Sequence, residues 1–95
     1  MQAQDILTSL VSFPVLGGQS NLSILSYIQS VLDDHGVSWS LVPNEAGDKA
    51  SLHCRIGPDV DGGVILSGHM DVVPVEGQDW HSNPFSLTEK NDGKL

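Results

Sequence analysis

His69 and Asp71 are the two residues of this 95-residue chain whose types and spacing could do chemistry together. They lie in Ser67-Gly68-His69-Met70-Asp71-Val72-Val73-Pro74, directly after the apolar run Val64-Ile65-Leu66. Side chains two positions apart in an extended chain point to the same side, with Cα atoms about 6–7 Å apart. An imidazole so placed can bind a metal while the carboxylate fixes its tautomer and raises its basicity. The same spacing also suits a polar strand end in which the two side chains bond only to each other. Gly68 permits close approach of backbone or ligand just before His69. In open α/β sheets, ligands bind at the carboxyl ends of strands.

Other candidates have plainer readings. Ser51, His53 and Arg55 alternate with Ala50, Leu52, Cys54 and Ile56. His53 therefore falls on a polar face, and Cys54 on the apolar one as a small packed hydrophobe. As a metal pair, His53 and Cys54 would need both faces of one strand at once. Trp80 and Phe85 are expected to pack a long loop onto the body, with His81 at the surface. Asp59, Asp61, Glu76 and Asp79 are scattered loop acids.

The elements that must position the pair follow from periodicity. Ile6, Leu7, Leu10 and Val11 predict a helix from about Gln2 to Ser12, ended at Phe13-Pro14 because a residue before proline avoids the α region. Ser20 or Asn21 can cap a second helix. That helix, striped by Leu25, Ile28, Val31 and Leu32, runs to about His35, and Gly36 suits the left-handed position beyond it. Asp33 and Asp34 face the negative end of its dipole, which periodicity does not explain. Val37, Trp39 and Leu41 then alternate as a strand. A six-residue loop and the 50–56 strand complete a hairpin. The run 64–66 reads as a strand buried on both faces. Asn91-Asp92-Gly93 is a turn signal leading into an unfinished segment, as expected of a truncated chain.

Bulk properties narrow the function classes. Twelve Asp and Glu against four Lys and Arg give a formal charge of −8, which argues against nucleic acid or an anionic membrane as partner. The length suits one domain, burying roughly 60–65% of the surface its unfolded chain exposes. Cys54 is the single cysteine, so no internal disulfide can form, and a reducing cytoplasm is the expected location. Met1 to Asp5 carries no Lys or Arg, and Thr8, Ser9, Ser12 and Pro14 interrupt the apolar stretch that follows. That is a poor signal peptide, and no run reaches membrane-spanning length.

Ser67-Gly68-His69 with Asp71-Val72-Val73-Pro74 resembles the first metal motif of the zinc amidohydrolase and exopeptidase family. That family includes acetylornithine deacetylases, desuccinylases, aminoacylases and carboxypeptidases. Trp80, Pro84-Phe85 and Asp92-Gly93-Lys94-Leu95 follow with similar spacing. Leu41-Val42-Pro43-Asn44-Glu45, Lys49-Ala50-Ser51-Leu52-His53, Val73-Pro74-Val75-Glu76-Gly77-Gln78 and Ser20-Asn21-Leu22 resemble the bacterial acetylornithine deacetylase branch.

The resemblance implies an α/β fold, the N-terminal part of a zinc-peptidase-like catalytic domain over residues 1–95: two helices, a hairpin and one buried strand. It implies His69 as ligand to one zinc of a two-metal site, with cobalt able to substitute, and Asp71 as the active-site residue holding the imidazole. A zinc-activated bridging water would attack the amide carbonyl of an N-acyl amino acid such as N2-acetyl-L-ornithine. The family's bridging aspartate follows a Gly-Arg-Gly turn, its glutamate pair supplies the general base and another ligand, and its last histidine is far toward the C-terminus. None of these is among the 95 residues. The rest of the catalytic domain and the inserted dimer-contact domain are likewise missing. The expectation is a chain without activity of its own that binds zinc weakly. Another amidohydrolase of the family, a desuccinylase or an aminoacylase, or a non-catalytic short protein derived from the enzyme's N-terminus, would share these features.

Overall fold

The computed structural model describes residues 2–95. Helix α1 spans Ala3–Val11 and helix α2 spans Leu22–Asp34. Strands β1, Trp39–Pro43, and β2, Ala50–Cys54, form one antiparallel hairpin. The architecture is a small α/β arrangement of two helices and a two-stranded hairpin.

Each helix end has a local cause. Asp5 at the third position of α1 accepts the Gln2 backbone N–H at 2.8 Å, satisfying a donor no helical carbonyl can reach. At the end of α2, Gly36 has φ +69°. Its N–H donates to Asp33 O at 3.0 Å and the Val37 N–H donates to Leu32 O at 2.9 Å. This paired arrangement closes a helix through a left-handed residue. Asp33, unexplained by periodicity, accepts the Trp39 indole N–H at 2.8 Å. Its carboxylate ties the end of α2 to the start of β1.

The six-residue hairpin loop is organised by one side chain. Asn44 Oδ1 accepts the N–H groups of Gly47 at 3.0 Å and Lys49 at 3.1 Å, substituting for backbone partners as Asn does in turns. Across the strands Leu41 pairs with Leu52 and Trp39 with Cys54. Ala50 is buried, Leu52 and Cys54 are half-buried, and Ser51 and His53 are exposed. The period-two reading matches burial as far as Cys54, where β2 ends; Arg55 and Ile56, expected to continue the strand, lie outside it, and Ile56 is 80% exposed.

The core is small: Val15, Ile24, Leu25 and Ala50 are the buried apolar residues among those described. Phe13 and Tyr27 add a tilted aromatic contact with ring centroids 5.8 Å apart. Asn21, expected as a helix cap, does different work. Its Nδ2–H donates to Ala50 O at 2.8 Å while its Oδ1 accepts the Ala50 N–H at 3.0 Å. The side-chain amide thus pairs with β2 as another strand would, docking the hairpin on α2. Ser20 Oγ accepts the Leu22 N–H at 3.3 Å.

One expected element does not form. Val64, Ile65 and Leu66 are 87–93% exposed and belong to no strand. A strand buried on both faces needs hydrogen-bonding neighbours at its edges and layers above and below. Both named strands of the described residues are in the hairpin, so the run has neither. The buried strand of the expected fold is corrected to a solvent-exposed segment without regular secondary structure. The Asn91-Asp92-Gly93 turn does form, with the Gly93 N–H donating to Lys90 O at 2.9 Å and the Lys90 N–H donating to Lys94 O at 2.7 Å. Among the described residues, no helix is long and apolar enough to cross a membrane.

Candidate functional site

The segment carrying His69 and Asp71 is held to the body by a short parallel rung. The Val72 N–H donates to Val15 O at 2.7 Å, and the Gly17 N–H donates to Val72 O at 3.0 Å. Leu16 and Val72 are the bridge partners. Because Val15 is one of the buried core residues, the rung links the segment carrying His69 and Asp71 to the core. Neither periodicity nor motif spacing pointed to it. Its signal is the stretch Val15-Leu16-Gly17, too short for a strand pattern.

His69 and Asp71 meet. His69 Nδ1 lies 3.0 Å from Asp71 Oδ1 and 3.0 Å from the Asp71 backbone oxygen. Both partners are acceptors, so Nδ1 carries a proton, and in the neutral ring Nε2 is then the nitrogen with the lone pair. Both side chains are open to solvent, at 85% and 62%. In such surroundings a charged pair contributes little to stability.

Beside the pair opens a cavity of about 550 Å³ whose lining includes His69, Asp71, Val73, Pro74, Trp80 and Phe85. Its wall is mostly apolar, with Gln78 a further polar group at the lining. The Gln78 amide donates to Pro74 O at 2.6 Å, bracing the loop that carries the wall. A concave, largely apolar wall with a few convergent polar groups is the usual form of a small-molecule site. A second cavity of about 300 Å³, between the helices and Phe85, shares His69, Val72, Pro84 and Phe85 with the first. Trp80 and Phe85, expected to pack a loop onto the body, line the space beside His69, with Trp80 49% exposed and Phe85 half-buried. Gly68, expected to allow a close approach, has nothing within 4 Å of a Cβ built there.

The arrangement supplies one imidazole lone pair with its orienting carboxylate. No group of three or more His, Cys, Asp or Glu able to hold a metal occurs among the described residues. A catalytic zinc needs three protein ligands and an open position. These residues therefore fit one ligand position and do not make a zinc site. His53 and His81 are exposed, and Cys54 is half-buried on β2.

Comparison with known proteins gives the chain its relatives. It is 38% identical to the acetylornithine deacetylase of Pasteurella multocida over 98 aligned positions, covering 96% of this chain and 25% of that protein. The acetylornithine deacetylase of Proteus mirabilis is 37% identical over 78 positions, 81% of this chain and 20% of that enzyme. That of Shigella sonnei is 31% identical over 98 positions, 96% and 25% respectively. No family model matches, and no solved structure matches.

These similarities relate the chain to a family of amidohydrolases. Within it, the chain is a fragment-like homologue of the N-terminal quarter of the acetylornithine deacetylases. It spans about a quarter of the length of the curated relatives it matches.

Proposed function

We propose that this chain is the segment carrying the first metal ligand of a zinc-dependent amidohydrolase that deacetylates N2-acetyl-L-ornithine to L-ornithine and acetate. The observation that carries the proposal is similarity across 96% of the chain to acetylornithine deacetylase. The His69–Asp71 contact supports it, because a carboxylate on Nδ1 leaves Nε2 free to ligate. Residues 1–95 would be the N-terminal portion of the catalytic domain, the remainder of that domain and a dimerisation domain lying outside them. His69 would bind one zinc of a two-metal site, for which cobalt could substitute, and Asp71 would hold the His69 ring.

The whole protein would act in the cytoplasm, in arginine biosynthesis, as a homodimer on a small N-acyl amino acid. The net charge of −8 favours no nucleic-acid or anionic membrane partner. The 95-residue chain alone would not catalyse the reaction. A positioned general base contributes about 10²–10⁴-fold in rate, and in the family that base comes from residues outside this segment.

A chimaera tests the proposal. Residues 1–95 replace the matching quarter of the Pasteurella multocida deacetylase, and the purified protein is assayed with N2-acetyl-ornithine, N-succinyl-diaminopimelate and neutral N-acetyl amino acids. Deacetylation of N2-acetyl-ornithine, lost in His69→Ala, is the expected result. A folded chimaera inactive toward N2-acetyl-ornithine would overturn the proposal.

A further inference from the structure

We infer that Val64-Ile65-Leu66 is a docking surface whose occupant is the part of a deacetylase-like chain that follows the matched N-terminal quarter. The three side chains are 87–93% exposed. Among the described residues, no backbone–backbone hydrogen bond involves residues 64–66. Single apolar residues at a surface are ordinary. Three in succession with unpaired N–H and C=O groups offer a strand edge for another segment to pair with. Exposed apolar side chains continue along the chain at Ile56, Val60 and Val73, which are 64–80% exposed.

The rest of this chain does not cover the run, because both named strands of the described residues are committed to the hairpin. A second copy fits it poorly. Each copy carries a formal charge of −8, and Asp59, Asp61 and Asp71 flank the run, so two copies would set like charges against each other. A pairing of two short strands is also marginal in water without further strands or a covering helix. The relatives carry enough chain to supply both. The match takes 96% of this chain and 25% of the Pasteurella multocida deacetylase. Three quarters of that protein lies outside the match, more than the roughly 100–150 residues of a typical domain. Seating the run would fix the His69–Asp71 segment from its N-terminal side, as the Leu16–Val72 bridge fixes it from the other.

The chimaera of residues 1–95 with the rest of the Pasteurella multocida deacetylase tests the surface, by hydrogen exchange read with mass spectrometry. In the 95-residue chain the 64–66 amides should exchange at unprotected rates. In the chimaera they should exchange roughly 100-fold or more slowly, as amides bonded within a sheet do. Ile65→Lys should leave the thermal melt of the 95-residue chain unmoved and lower that of the chimaera; an equal effect in both overturns the assignment. Unprotected 64–66 amides in the folded chimaera overturn it, as does a chimaera that stays unfolded where the natural deacetylase folds. Protection in the 95-residue chain itself also overturns it, whether constant or rising with concentration as two copies pair. The assignment rests on reading the chain as part of a longer amidohydrolase, but its readout needs no metal or substrate. Protection in a chimaera inactive toward N2-acetyl-ornithine keeps the surface and removes only the catalytic reading, and activity without protection does the reverse.

Discussion

Removing the Asn21 side chain should undock the hairpin from α2. Asn21→Ala deletes a donor to Ala50 O at 2.8 Å and an acceptor for the Ala50 N–H at 3.0 Å. A typical intramolecular hydrogen bond contributes about 0.5–1.5 kcal/mol net, and a buried group left unpaired costs about 1–3 kcal/mol. Ala50 is buried, so water does not readily replace the amide. The two bonds together predict a loss of about 2 kcal/mol. At 1.4 kcal/mol per tenfold, Ala50 amide exchange should accelerate on the order of 30-fold. Hydrogen exchange by NMR is the assay, with the Gly47 amide, held by Asn44 within the loop, as the internal control. Asn21→Asp should also destabilise the contact, because it keeps the acceptor but sets a carboxylate oxygen against Ala50 O. Unchanged Ala50 exchange in Asn21→Ala would refute the docking role.

Three further outcomes follow from burial and ligand supply. Leu25→Ala should cost about 2–5 kcal/mol, since Leu25 is 1% exposed and is the largest fully buried side chain. With so small a core, urea or thermal melts should show most cooperative unfolding lost, whereas a near-neutral melt would mean that Leu25 is not central. Ile65→Lys should change stability by less than about 0.5 kcal/mol, because Ile65 is 93% exposed; a loss of several kcal/mol in the same melt would restore the buried strand. Calorimetric titration of the 95-residue chain with zinc should show no tight stoichiometric binding, given the absence of a three-ligand group among the described residues. Saturable one-to-one binding at nanomolar zinc would contradict the ligand assignment.

Elements closed by local contacts were legible in the sequence. Both helices fall within a residue or two of their periodic patterns, and Gly36 takes the left-handed conformation its position required. The hairpin and its loop follow from alternation and from Asn44 and Gly47. Contacts between distant segments were not legible. Asn21 carries the same cap signal whether it bonds its own helix or reaches Ala50, 29 residues away. The Leu16–Val72 bridge leaves no periodic trace. The run 64–66 shows the opposite failure, because an apolar pattern records that burial is needed without supplying the strands that provide it. At the site, spacing gave the shared side of His69 and Asp71, but not the rung holding them or the Trp80 and Phe85 wall.

The metal content of the Pasteurella multocida chimaera tests the assignment of His69 most directly. Purified protein is dialysed against buffered zinc and measured by plasma emission, with folding checked by circular dichroism. We predict two zinc ions per chain with His69 present and one in His69→Ala. Equal zinc content in the two folded proteins would contradict the assignment of His69 as a metal ligand.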